Sequence, residues 1–316
     1  MRKALIVGVN FYHFCNCLSG CVPDAYAVNA VLEQHSDGTR NFDVELKVAT
    51  DQTTTIDRVT LKNYVNELFK DDCEVALFYF SGHGYIESAG GFLITSECKN
   101  GDDGFPMSEL LTIVNNSPAR NKIIVIDTCF SGQVGNPSVN SSNAYIKEGV
   151  TILTASQGNQ TSVDEGDGST FTKLFVDALS GAAANLLGDV SPGGVYAHID
   201  QSLGAWQQRP IFKTNVKNFV SLRTVQPPIA ISDLRKITEL FPDSFEFKLD
   251  PTFEPEEPSA VKENTEKFAI LQKFNRVNLV VPVEAEHMYF AAIHSKSCKL
   301  TVVGEYYWKL VKNKRI

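Results

Sequence analysis

No run of about 18 consecutive apolar residues occurs in this chain, so no α-helical membrane span is written in it. The opening MRKALIVGVN sets two basic residues ahead of an apolar run. That run stops at Asn10 with no small-residue cleavage site, so it reads as a buried first strand and not as a signal peptide. Positive charge is in deficit: 29 Lys and Arg face 37 Asp and Glu, for a net charge of −8. A whole-protein nucleic-acid binder would need the opposite balance. Balanced cysteine pairing is missing too, because seven cysteines are an odd number in a chain without an export signal. A disulfide framework is therefore not expected, and a reducing cytoplasm is the expected location. No internal repeat is visible. What is present is 43 % hydrophobic content over 316 residues, enough to bury one large or two ordinary cores.

Residues 1–222 alternate between strand-like and helix-like segments. The candidate strands are ALIVGVN, VELKVAT, EVALFYF, GFLIT, KIIVID and GVTILTAS, with RPIFKTN closing the sheet near residue 215. Several are continuous apolar runs, as in strands covered by helices on both faces. Between them, Pro23–His35 places Ala27, Ala30 and Val31 on one face, Ile56–Phe69 follows the capping run TTT, and Phe171–Leu179 follows Gly168-Ser169-Thr170. This alternation predicts an α/β domain with a mostly parallel sheet.

Residues 223–262 contain PP, PD, DP and the acidic FEPEEP, and read as a linker. Residues 263–316 then read as a small α+β module: helix EKFAILQKF, strand VNLVVPV, helix EHMYFAAIHS and a last helix with Val303, Tyr306, Tyr307 and Leu310 on one face. That order is compatible with a winged-helix-like module for sensing or interaction. Its tail gathers Lys296, Lys299, Lys309, Lys312, Lys314 and Arg315 around Tyr306, Tyr307 and Trp308. Such a tail suits a phosphate-bearing ligand, a nucleotide or a protein activator, and reads equally as a packed module with a solvated basic face.

Two runs carry chemistry. FYFSGHG and IIVIDTCFSG are apolar strands that stop at small-residue turns, presenting His83 and Cys129 at a sheet edge. A thiol and an imidazole brought together form the nucleophile–base pair of a cysteine hydrolase. Asp127 lies two residues before Cys129, on the same strand face. The turns at Gly82–Gly84 and Gly132 offer N–H groups to an oxyanion, with Gly84 the candidate donor. His13, Cys15, Cys17 and Cys21 lack the second ligand pair that a zinc site needs.

SGHG followed by DTCFSG resembles the caspase-like cysteine peptidases, within them the metacaspase and bacterial orthocaspase branch. Cys129 follows His83 by 46 positions, which matches the spacing of about 50 already attached to caspases. GVNFY, LSGCVPDA, LTAS and GSTFT extend the resemblance over residues 3–222. It implies a sheet of about six strands between helices, His83 as general base and Cys129 as nucleophile acting on a protein substrate. It also implies that Cys21, Asp24, Ser81, Asp127 and Ser156 line the substrate cleft. An RxG lead-in holds one of the arginines that bind aspartate in caspases; here it reads Leu18-Ser19-Gly20. Paired carboxylates at Asp24 and Asp127 instead suit a guanidinium or ammonium group. Cleavage after Arg, then Lys, is expected.

No cofactor is needed for that chemistry. Some members of the branch require calcium, and Asp164, Glu165 and Asp167 form an acidic loop that also reads as a solvated turn. Lys147 is the basic residue available for self-processing in 130–148. A protease joined to a sensing module would make a regulated effector, for example in bacterial defence or cell death. The competing readings are a caspase-shaped scaffold without turnover and a regulator that binds nucleotide or nucleic acid through the tail.

Overall fold

Val, Ile, Leu and Phe fill the strands of the central sheet because both of its faces are covered. The computed structural model describes residues 1–87, 90–128, 145–155, 168–204 and 209–316, which fall into two units, Met1–Gln226 and Pro227–Ile316. The first unit opens with β1 (Arg2–Val9), α1 (Cys21–Glu33), β2 (Asp43–Ala49), α2 (Arg58–Phe69) and β3 (Val75–Ser81). A small antiparallel sheet of β4 (Gly84–Glu87), β5 (Gly90–Leu93) and β6 (Phe105–Pro106) follows. Next come α3 (Met107–Asn116), β7 (Asn121–Asp127), β8 (Val150–Thr154), α4 (Thr170–Asp177), β9 (Asp189–Val190), α5 (Pro192–Ser202), β10 (Ile211–Asn215) and β11 (Arg223–Thr224).

The main sheet has six strands in the order β10-β8-β7-β3-β1-β2. All neighbours pair in parallel except β10, which runs antiparallel on β8 as the closing edge. Alternate residues sort into two cores. Leu5, Val7, Phe78, Phe80, Ile124 and Ile126 face α2 and α3, whereas Ala4, Ile6, Leu77, Tyr79, Ile123 and Val125 face α1, α4 and α5. The expected α/β architecture is therefore present, with one correction. GFLIT does not join the main sheet; its residues form β5, whose glycines and two-residue partner β6 suit a short hairpin beside the sheet edge.

Helix details also differ from expectation. In α1 the buried face is Ala25, Val28, Val31 and Leu32, while Ala27 and Ala30 are exposed. The helix is apolar around most of its circumference, so periodicity alone did not select a face. The cap of α2 is Asp57, whose carboxylate accepts from the Thr60 N–H at 2.6 Å, not the TTT run. The cap of α4 is Ser169, as the GST signal suggested.

The second unit comprises α6 (Ile231–Arg235), α7 (Ile237–Leu240), β12 (Glu246–Lys248), α8 (Lys262–Arg276), β13 (Val280–Val283), α9 (Met288–Ile293), β14 (Ser297–Leu300) and α10 (Val302–Lys312). Its sheet is antiparallel in the order β12-β14-β13. The linker expected over 223–262 is mostly folded into this unit: Leu234, Ile237, Phe241, Leu249 and Phe253 are buried. Prolines and acids marked the turns there, and the apolar residues between them make the core. β13 and β14 are joined through α9, so no hairpin wing is formed. On α10, Val303 and Tyr306 are exposed, contrary to the expected face. Gly304 sets the packing instead, since a Cβ there would meet the Leu279 carbonyl at 2.1 Å. Trp308, one turn on, donates its indole N–H to the Phe241 carbonyl at 2.7 Å while Lys312 lies 4.3 Å over its ring. Its indole is thus a packing element of this unit.

Gly8 has the same role in β1. An added Cβ would meet the Cys21 carbonyl at 2.5 Å and Ala25 at 2.8 Å. Gly8→Ala is expected to lower stability by roughly 1–3 kcal/mol, because a backbone contact cannot rotate away. Urea unfolding of the two proteins checks this; an unchanged midpoint would show that α1 has room to move.

Candidate active site

β1, β3, β7 and β8 run in parallel, so their C-terminal ends share one edge of the sheet. Ser81, the last residue of β3, lies in register with Asp127, the last residue of β7. His83 follows Ser81 by two residues. Cys129 and Ser156 lie outside the described residues, as do Asp164, Glu165 and Asp167 of the acidic loop.

His83 is held from two sides. Its main-chain N–H donates to the Tyr12 hydroxyl at 2.8 Å, and the two rings lie 4.7 Å apart. Gly82 makes this possible: a Cβ there would meet the Tyr12 hydroxyl at 2.8 Å and the Phe80 ring at 2.9 Å. The Nε2 of His83 is 2.8 Å from the Asn16 carbonyl oxygen. A carbonyl only accepts, so Nε2 carries the proton and Nδ1 is the basic nitrogen of the neutral ring. Tyr12 was marked only as the end of GVNFY, with no role given to it, and Asn16 was not marked; Asn16 acts through its backbone, which leaves no side-chain signature.

The two acidic residues are deeply buried, Asp24 at 4 % exposure and Asp127 at 5 %. Asp24 sits in the first turn of α1, brought against the sheet by the Gly8 contact. Its Oδ2 accepts from the Ser81 hydroxyl at 3.3 Å, and its two oxygens accept the Ser169 N–H at 3.1 and 3.2 Å. Gly168 permits that approach, with φ of +105° and a would-be Cβ 2.5 Å from Asp24 Oδ1. Asp127 Oδ2 accepts from the Thr172 hydroxyl at 2.7 Å. The Thr172 proton is thereby committed, so Tyr79 is the donor in the 2.6 Å contact between the two hydroxyls. Burial, followed by the nearby Asp127 and Asp24 charges, raises the Tyr79 phenol well above its ordinary value, so it stays protonated. The expected residues Asp24, Ser81 and Asp127 are thus gathered on the α1/α4 side of the sheet. Tyr79, Ser169 and Thr172 complete the network; Ser169 was marked as a helix start and Thr172 only within the GSTFT of the resemblance.

Of the remaining candidates, Cys21 begins α1 and is buried, with its carbonyl against Gly8. Gly84 opens β4 and borders, with His83, a cavity of about 290 Å³. Lys147 is exposed, its N–H donating to Asn115 Oδ1 at 2.9 Å and its ammonium to Asn116 Oδ1 at 3.3 Å. His13 pairs with Glu97 at 3.4 Å, while Cys15 and Cys17 are exposed. Among the described residues no group of His, Cys, Asp and Glu converges as metal ligands.

A family model for the caspase domain matches residues 1–287. The chain belongs to the caspase domain family. Its family and fold are those of cysteine peptidases in general. Comparison with curated proteins finds no match. Among solved structures, the chain is similar in fold to protein GSU0716 of Geobacter sulfurreducens, with a TM-score of 0.53 at 15 % identity, over 71 % of this chain and 99 % of that one. Caspase-1 of Spodoptera frugiperda is aligned over 71 % of this chain and 91 % of its own, with a TM-score of 0.48 at 13 % identity. Among the described residues of this caspase domain protein, no helix is long and apolar enough to cross a membrane.

Burial is the main influence on Asp127 and raises its carboxyl above the ordinary 3.8, against the lowering effect of the Ser169 and Thr172 hydroxyls. The folded state then holds this proton more tightly than the unfolded chain does. Its relative stability is fullest below 3.8 and declines as pH rises through the raised value. Asp127→Asn, which never ionises, escapes that decline. Its stability relative to wild type should therefore increase with pH above 3.8. Urea unfolding at stepped pH checks this, and a difference independent of pH would show the carboxylate to be fully compensated.

Proposed function

We propose that this protein is a cysteine endopeptidase in which Cys129 is the nucleophile, His83 the base, and arginine, then lysine, the preferred residue at the cleaved bond. The observation that carries the specificity is the pair of buried carboxylates, Asp24 and Asp127, on the face that also holds Ser81. A guanidinium entering between them would gain charge-assisted hydrogen bonds.

The chemistry follows from His83. With Nε2–H engaged by the Asn16 carbonyl, Nδ1 takes the proton from the Cys129 thiol. The thiolate attacks the scissile carbonyl, and the Gly84 region supplies N–H donors to the resulting oxyanion. The same proton then passes from Nδ1 to the departing amine, leaving a thioester. Water, deprotonated by His83, hydrolyses the thioester and restores the thiol.

Regulation belongs to the same reading. Residues 227–316 form a separate compact unit, and a small-molecule or protein activator acting there would make the enzyme a switched effector, in defence or cell death. The exposure of Lys147 supports self-processing at that residue. Calcium is an activator to be tested; no step of the mechanism runs through it.

Fluorogenic peptides ending in Arg, Lys or Asp, assayed with and without calcium, test the proposal. Arg-directed turnover is expected, abolished by Cys129→Ala and cut roughly 10²–10⁴-fold by His83→Ala. Asp24→Asn should lower kcat/KM for the Arg peptide by roughly 30-fold or more, the effect of deleting one partner of a buried charge pair. Turnover after Asp would overturn the specificity assignment, and silence towards every peptide would favour the scaffold reading.

A further inference from the structure

The cavity beside His83 lies on the other side of the sheet from the carboxylates. Ile94 and Cys98 in its wall belong to the core that faces α2 and α3, whereas Tyr79 and Phe171, beside Asp127 and Thr172, belong to the core that faces α1 and α4. His83 and Gly84 are at its rim. In an extended peptide, successive side chains point in opposite directions at about 3.3 Å per residue. A substrate that sends its arginine towards Asp24 and Asp127 therefore sends the next side chain the opposite way. The base that protonates the departing amine must lie within hydrogen-bond reach of it. The side chain attached to that amine then begins one bond further on, beside His83.

We infer that this cavity receives the residue that follows the scissile bond, and that Lys99 gives it a preference for an acidic side chain. The inference rests on the peptidase reading. Tyr85 forms one side of the cavity, its ring flat against Gly101, where an added Cβ would lie 2.1 Å away. The Lys99 side chain is exposed at the cavity, with its ammonium 5.4 Å from the Phe14 ring. Among the described residues no carboxylate stands within ion-pair distance of that ammonium. Asp103, the nearby acid, is occupied in accepting the main-chain N–H groups of Lys99 and Asn100 at 3.2 and 2.9 Å. Glu97 faces His13. An incoming carboxylate thus meets a cation held only by the Phe14 ring.

Two internally quenched peptides that differ only in Asp or Asn after the Arg test this, with wild type and Lys99→Glu. Within each enzyme the ratio of the two kcat/KM values cancels differences in the folded fraction. Wild type should prefer Asp by roughly two- to fivefold, the effect of one solvent-screened ion pair. Lys99→Glu should reverse the ratio, and the preference should fade at high salt. The same ratio in both enzymes overturns the inference. An Arg-aminocoumarin amide, which carries no residue after the bond, separates the two failures. If it is cleaved while the ratios stay equal, the subsite assignment alone is wrong; if wild type leaves it intact, the peptidase reading falls and the subsite with it.

Discussion

The in-register pairing of β3 with β7 is the constraint on which the candidate site depends. Ser81 stands opposite Asp127, and each strand leaves the sheet at that rung. His83 and Cys129 are each two residues beyond it, so both chemistry-bearing loops depart from one edge. A one-residue slip would turn Asp127 to the opposite face, away from Thr172. The buried runs Val75–Ser81 and Asn121–Asp127 resist that slip, because it would exchange the residues of two separately packed cores. Helix α1 is added to this frame through a glycine, since at Gly8 only a missing Cβ lets the Cys21 turn lie close enough for Asp24 to meet Ser81.

Two buried carboxylates on one face are expensive to hold. Their hydrogen bonds include neutral donors: the Ser81 and Thr172 hydroxyls, and the Ser169 N–H at the start of α4. At Asp127 such donors leave the desolvation incompletely offset, as its raised carboxyl indicates. Under the proposed specificity, a cation is favoured there over a neutral group of the same shape. Burial is what would give the acids this selectivity, since an exposed acidic pair is satisfied by water.

Much of this was legible in the sequence, for identifiable reasons. Continuous apolar runs revealed the buried parallel strands, and SGHG marked the turn that ends β3. Asp24 and Asp127 were legible through the family resemblance. GFLIT was misassigned because a short apolar run carries no information about which sheet it joins. β12 and β14 are too short and too mixed in polarity to stand out, and the 223–262 segment was judged by its prolines while Phe241 and Phe253 were making a core. Tyr12, Asn16, Tyr79 and Thr172 escaped because their roles arise from contacts across the fold, up to 93 residues apart in the Tyr79–Thr172 bond.

The orientation of His83 by a backbone carbonyl, where serine hydrolases use a carboxylate, bears on the choice of nucleophile. A buried aspartate stabilises the imidazolium that forms when a serine hydroxyl is deprotonated. The Asn16 carbonyl offers a dipole in its place, a weaker counterweight to that charge. A hydroxyl would gain too little from such a base. A thiol, with an ordinary pKa near 8.5, gives up its proton far more readily and needs the imidazole chiefly to be correctly placed. Tyr12 and Asn16 supply placement, through the main-chain N–H and through Nε2. Asp24 and Asp127, meanwhile, lie on the α1/α4 face, where in the proposed mechanism they select a substrate side chain and take no part in orienting the base. A cysteine nucleophile would permit that division of tasks, since a thiol does not need a buried carboxylate behind the imidazole.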